Sequence, residues 1–312
     1  MRKVIVVVGP TSTGKSDVAI NLAEEFDGEI VNADSMQVYK EMDIGTAKPS
    51  KEDFERVPHH LFDICEITER FSSGEYAKKA SSAILDILKR GKLPIVVGGT
   101  GLYTHALIFG FFEEENIDKT LEKSLKKTAK KVGTGYLFNF LKKVDREFAN
   151  RINPSDTQRI LRGLTFYFST GRPLSSMWNK TKPLLEDVDF IVIGLKAERE
   201  KLYEAINSRV DRMIKKGLLN EVKSLYSVYG DRQLHPFKAI GYRELIAYIE
   251  GEITLSKAIE EIKKNTRRFA KRQMTWFKNK PIKWFEVDPV NRKIPFEEIK
   301  DYIKIKLEKF KE

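Results

Sequence analysis

The chain has 312 residues, 41% of them hydrophobic, and its 56 Lys and Arg against 45 Asp and Glu leave a formal charge of +11. That length and apolar content support about two domains with buried cores and exclude intrinsic disorder, while the single cysteine, Cys65, excludes an intramolecular disulfide and a Cys-rich zinc site. The longest apolar runs, residues 4–8 and 190–193, fall far short of a bilayer span, and Met-Arg-Lys leads straight into a strand-like run, so a soluble, cytoplasmic, basic protein without membrane association is expected.

Over the first hundred residues strand-like runs alternate with helical periods, which predicts a parallel sheet covered by helices. Residues 4–8 are β-branched throughout, as in a central strand buried on both faces. Residues 16–26 predict a helix, with Val18, Leu22 and Phe26 four apart. Residues 29–31 form a second strand that runs into Asn32-Ala33-Asp34. An amphipathic helix over 75–90 stops at Gly91, and a third strand over 94–97 runs into Gly98-Gly99-Thr100-Gly101. From residue 116 the pattern turns to Lys-rich helices over 119–131 and 136–148. Ser155 with Gln158 predicts a capping box opening a further helix that reaches Ser169, with Gly171 beyond it. Residues 116–182 thus read as a helical insertion into an α/β core built from 1–115 and 183–312. That core resumes with a strand over 189–195, a helix over 198–216 ended by Gly217, a helix over 256–278, and a last solvated helix from Lys293.

Gly9-Pro10-Thr11-Ser12-Thr13-Gly14-Lys15-Ser16 fits G-x-x-x-x-G-K-[ST] between a strand and a helix. Its glycines let backbone N–H groups turn around an anion at a helix N-terminus; Lys15 supplies a charge to the terminal phosphate and Ser16 can ligate Mg²⁺. A nucleotide hydrolase of this design carries an acid after a central strand, but residues 95–97 run into glycine and threonine. The acid at a strand end is Asp34, which reads as a turn residue, a metal ligand or a general base, at the sheet edge where open α/β folds bind ligands. Leu202, Ile206, Arg209 and Met213 share one helix face, so Arg209 either snorkels, forms an ion pair, or clamps a pyrophosphate. On residues 266–277, Arg267 lies over Lys271 and Arg268 over Arg272, and no acid occurs between Glu261 and Glu286. Like charges one turn apart destabilise a helix, so nucleic-acid contact is favoured over a solvated face.

These segments, in this order, resemble the tRNA dimethylallyltransferases (tRNA isopentenyltransferases). The likeness runs through the phosphate loop, residues 34–39, Asp43-Ile44-Gly45-Thr46-Ala47-Lys48-Pro49, His59-His60-Leu61, residues 97–103, residues 158–162, Gly241-Tyr242-Arg243-Glu244 and residues 266–276. The resemblance implies a P-loop NTPase-like parallel sheet with an inserted, mostly helical domain. It also implies transfer of a dimethylallyl group from dimethylallyl diphosphate to N6 of the adenosine just 3′ of the anticodon, on the tRNA anticodon stem-loop; Mg²⁺ and a monomer are expected beside it. The phosphate loop, which carries a nucleotide-binding signature, would hold the diphosphate of the donor. By the same resemblance Asp34 is the general base, and Thr100 and Arg209 help hold the diphosphate. Asp34, Ser35, Met36, Gln37, Thr100, Gln158, Arg159, Ile160, Leu161 and Arg162 would contact tRNA, beside Arg267, Arg268, Lys271 and Arg272 of the basic helix. Where some members carry a tRNA-contacting basic residue early in the insert, this chain has Glu122 and Lys123. The competing readings are a small-molecule P-loop kinase with a helical lid and an RNA-binding NTPase switch.

Overall fold

In the computed structural model, residues 2–111 and 118–308 are described. The first, β-branched run forms β1 (Arg2–Val8), whose residues alternate between two apolar layers: Val4, Val6 and Val8 enter one, Ile5 and Val7 the other. There follow α1 (Lys15–Glu25), β2 (Gly28–Asn32), α2 (Lys51–Arg56), β3 (His59–His60), α3 (Ser73–Lys89), β4 (Leu93–Val97) and α4 (Gly101–Phe109). Next come α5 (Lys119–Val132), α6 (Thr134–Val144), α7 (Arg146–Ala149) and α8 (Thr157–Thr170). The chain then returns through β5 (Val188–Lys196), α9 (Arg199–Lys215), α10 (Leu218–Tyr229), α11 (Tyr242–Ile249), α12 (Leu255–Phe277), β6 (Lys283–Glu286) and α13 (Phe296–Glu308).

The six strands form one sheet in the order β3-β2-β4-β1-β5-β6, and every neighbouring pair is parallel. The fold is therefore α/β with a P-loop-like core. The order brings three carboxyl ends side by side: the loop after β2 that carries Asp34, the Gly98–Thr100 loop after β4, and the phosphate loop after β1.

Contacts divide the chain into two units, one of residues 1–108 with 184–312 and one of residues 109–183. The boundary expected between 115 and 116 lies outside the described residues. The second unit has its own core, in which Leu137, Leu141, Ile160, Leu161 and Leu164 are buried.

Several local expectations need correction. The helix expected over 136–148 breaks at Asp145, whose buried carboxylate accepts from the backbone N–H groups of Phe148 and Ser175 and so starts a new turn. The cap of α8 is Asp156, which accepts from Arg159 N, and not Ser155. The C-terminal helix is not merely solvated, since Ile299 and Ile303 of α13 are fully buried in the sheet's second layer. The strands β3 and β6 were not expected at all.

Candidate active site

The phosphate loop closes on itself. Lys15 Nζ and Thr13 Oγ1 both donate to the Pro10 carbonyl, at 2.7 and 2.9 Å. Gly9 adopts φ 142°, and a Cβ there would lie 2.5 Å from the Leu195 carbonyl oxygen of the neighbouring strand. The α1 N-terminus has no side-chain cap, so its first N–H groups keep donor capacity for an anion. Ser12, at φ 68°, holds a buried hydroxyl without a hydrogen-bond partner, a second unused donor within the same loop.

Asp34 leaves β2 in a turn fixed by its neighbours. Asn32, fully buried, accepts from Asp34 N at 2.9 Å and donates Nδ2 to the carbonyls of Asp34 and Leu61. Asp34 Oδ1 in turn accepts from Met36 N at 2.8 Å. Thr100, from the adjacent loop, accepts from Ser35 N at 2.9 Å and donates to Ser35 Oγ at 3.2 Å. The Thr100 hydroxyl thus braces the Asp34 turn. Gln37 donates to the carbonyls of Thr46 and Ala47.

Arg209 takes the place its helical stripe predicts, between buried Ile206 and Met213 on α9, and opens on the cleft. Burial pulls its pKa below the usual guanidinium value, with Arg212 adding to the shift and Asp34 opposing it. Lys15 is affected more strongly. Burial, and next the Arg209 charge, bring its pKa down to about 7, again against the pull of Asp34. Two cations and one carboxylate thus sense one another in a site short of negative charge, which a polyphosphate would supply.

The cleft has two lobes. One is lined by Lys15, Ser16, Gly98 and Gly99 with His59 and Phe62. The other, about 1200 Å³ including its open mouth, is lined by Val210, Met213, Leu218, Ile240, Tyr242 and Ile262, with Lys238, Arg243 and Arg272 among its polar wall residues. Thr11, Asp34, Thr46, Arg209 and Phe269 line both lobes.

Gln273 on α12 is a site residue that sequence reasoning did not single out. It is buried, accepts from Thr11 N at 2.9 Å and donates to Gly99 O at 3.0 Å, so one amide ties the phosphate loop to the β4–α4 loop. The signal was present, because Ala270, Gln273 and Phe277 follow steps of three and four on the buried face of that helix.

The remaining expected contacts divide. Arg268, Lys271 and Arg272 are exposed on α12, whereas Arg267 donates to Asn207 at 2.7 Å and lies over the Tyr203 ring, which turns it toward α9. In the second unit Gln158, Arg159 and Arg162 are exposed, but Ile160 and Leu161 are packed in the core, which removes their side chains from the expected RNA contact. His59 packs at a tilt against Phe54 and edge-on against Phe62, and His60 pairs with the buried Glu29. Cys65 is buried, and burial raises its thiol to about 11, which disfavours the thiolate.

The chain resembles known proteins over most of its length. The family model described as IPP transferase matches residues 37–280. A tRNA dimethylallyltransferase of Caldanaerobacter subterraneus subsp. tengcongensis is 46% identical over 306 residues, covering 96% of each chain. The full-length tRNA isopentenylpyrophosphate transferase of Bacillus halodurans superposes with a TM-score of 0.72 at 39% identity, over 99% of this chain and 97% of that one. A eukaryotic dimethylallyltransferase acting on tRNA superposes with a TM-score of 0.81 at 30% identity, over 97% of this chain and 80% of that one.

Proposed function

The chain belongs to the IPP transferase family, and on that premise we propose that it passes the dimethylallyl group of dimethylallyl diphosphate to N6 of the adenosine 3′-adjacent to the anticodon. It is a prenyltransferase acting on tRNA. In this reading the phosphate loop grips the leaving diphosphate, and Asp34 takes the proton that N6 sheds.

The observation that carries the reading is the shared wall of the two lobes. A donor whose diphosphate sits against Lys15 and the α1 N-terminus would present its allylic carbon at the same junction as a base in the larger lobe, beside Asp34 and Arg209. The larger lobe suits an extruded purine, with apolar walls for its faces and Lys238 and Arg272 available to backbone phosphates. The exposed Gln158, Arg159 and Arg162 of the second unit would bind the same RNA.

An adenine N6 is a poor nucleophile because its lone pair is conjugated into the ring. As it attacks the allylic carbon, the bond to the diphosphate oxygen breaks and the N6 proton passes to the Asp34 carboxylate. Charge growing on the departing diphosphate is met by the loop N–H groups, by Lys15 and by Arg209. Burial and the Arg209 charge lower the pKa of Lys15 to about 7, and a bound diphosphate would favour its charged form. Thr100 contributes by holding Ser35 and so the Asp34 turn.

A divalent cation, Mg²⁺ in our reading, fits the residues present. Among the described residues no group of three or more His, Cys, Asp or Glu side chains is gathered to hold a metal. The cation would instead take the exposed Ser16 hydroxyl and oxygens of the diphosphate, a donor set that Mg²⁺ favours. When bound it would neutralise charge on the leaving group.

Single-turnover transfer by D34A is the test. With tRNA and donor saturating, its rate should fall roughly 10²–10⁴-fold while both substrates still bind. A wild-type rate in D34A contradicts the assignment of the base.

A further inference from the structure

Glu221 lies outside both lobes, yet it holds the wall where they meet. It is half-buried on α10, and its carboxylate accepts four hydrogen bonds. Oε2 receives Asp43 N at 3.0 Å and Ile44 N at 2.7 Å; Oε1 receives Gly45 N at 3.0 Å and Tyr242 OH at 2.6 Å. Three consecutive backbone N–H groups converging on one carboxylate make an anion nest filled from within the chain. Charge-assisted bonds of this kind are the strong ones, and a carboxylate offers four lone-pair sites, here all used.

The segment so gripped forms a cleft wall. Gly45 and Thr46 line the larger lobe, and Thr46, Ala47 and Pro49 line the phosphate lobe. The carbonyls of Thr46 and Ala47 hold Gln37, three residues beyond Asp34. Lys48 closes the far end of the loop, donating to the Tyr39 carbonyl at 2.7 Å and to Asp43 at 2.8 Å. On the other side the loop rests on the Tyr242 ring so closely that a Cβ on Gly45 would fall 2.4 Å from it. The Glu221 carboxylate and the Tyr242 ring thus hold the Asp43–Gly45 stretch of this wall from two sides, beside the Lys48 and Gln37 bonds further along it.

We propose that Glu221 is a positioning residue for prenyl transfer: through the nest at Asp43–Gly45 it fixes the wall of the donor–acceptor junction and, through Gln37, the turn that carries Asp34. This rests on the transfer reading given above. Glu221 lines neither lobe, so its loss should appear in the reacting geometry rather than in donor binding. Misplacement of reacting groups by about 1 Å is worth up to about 10²-fold in rate.

The test compares wild type, E221Q and G45A. E221Q keeps the shape but turns an amide N–H₂ toward backbone donors; G45A pushes the same loop from the Tyr242 side and leaves the carboxylate intact. Single-turnover transfer is measured with unmodified tRNA and dimethylallyl diphosphate saturating, beside the Kd for the donor and the circular dichroism of each variant. Both folded variants should transfer at least about 10-fold more slowly with donor Kd within about twofold of wild type. A folded E221Q that transfers at the wild-type rate overturns the role of Glu221 alone, as does a loss that appears entirely in donor Kd. If E221Q does not fold, G45A decides: a wild-type rate there overturns the proposal. A wild-type protein that prenylates nothing overturns the transfer reading and this role together.

Discussion

Gln273 occupies a position where the helical pattern asks for an apolar side chain, and its two hydrogen bonds explain why it is polar. Removing the amide leaves Thr11 N and Gly99 O without their partner in a buried place, which costs roughly 1–3 kcal/mol. Q273L should therefore lower the urea midpoint by that equivalent and weaken donor binding as well, because Thr11 belongs to the phosphate loop. A variant less stable but equal in donor Kd would separate Gln273 from the site. A second residue-scale prediction concerns Glu29, a buried carboxylate on β2. Its hydrogen bonds to Arg90 hold its pKa below the usual 4.5, with His60 adding to the effect and burial opposing it. A depressed folded pKa contributes stability above pH 4.5 that is lost as pH falls through the folded value. Wild type should thus lose stability more steeply than E29Q below pH 4.5 in denaturant titrations; parallel curves would contradict the pairing. Asp34 could be read from sequence because it is an acid at a strand end beside a phosphate loop. Gln273 could have been read from its stripe. Glu221 could not, because three of its four partners are backbone N–H groups 176–178 positions away, which no side-chain pattern records.

Among the elements, those with a long hydrophobic period were legible: β1, α1, α3, β5, α9 and α12 lie within a residue or two of expectation. The elements that went unseen had weaker local signals. The two residues of β3 are histidines whose pairing with β2 depends on the sheet already being there, and β6 is a four-residue edge strand. The helix α4 is apolar nearly throughout, with Tyr103, Ala106 and Leu107 buried, so its composition hides the period. On α12 the two faces were legible to different degrees. The exposed Arg268, Lys271 and Arg272 would carry the proposed RNA contact, while Arg267, one turn before Lys271, is engaged with Asn207. K271A should weaken tRNA binding to about the same extent for every tRNA sequence and reduce the slope of log K against log salt by about 1. R267A should change that slope less. Equal effects on slope from the two variants would mean that Arg267 also faces RNA.

For the molecule as a whole, the parallel α/β class could be argued from the alternation of short apolar runs with helical periods, and the helical insertion from its Lys-rich helical stretches. Strand order is set by long-range pairing, so the neighbourhood of β2, β4 and β1 that brings Asp34, Thr100 and the phosphate loop together emerges only from the sheet. In the proposed reading the +11 charge serves tRNA binding. With about four phosphates neutralised, tRNA affinity should fall roughly 50- to 150-fold between about 50 and 200 mM salt, measured by filter binding. An affinity indifferent to salt would make the basic surface a solvated one. The central claim is that the phosphate loop grips a leaving group and not a nucleotide to be hydrolysed. Its most direct test is incubation with unmodified tRNA and dimethylallyl diphosphate without ATP, followed by nucleoside mass analysis and diphosphate determination. The account predicts one N6-dimethylallyladenosine and one free diphosphate per modified tRNA, with no gain on adding ATP. A requirement for ATP, or a phosphorylated product in place of the prenylated nucleoside, would contradict it.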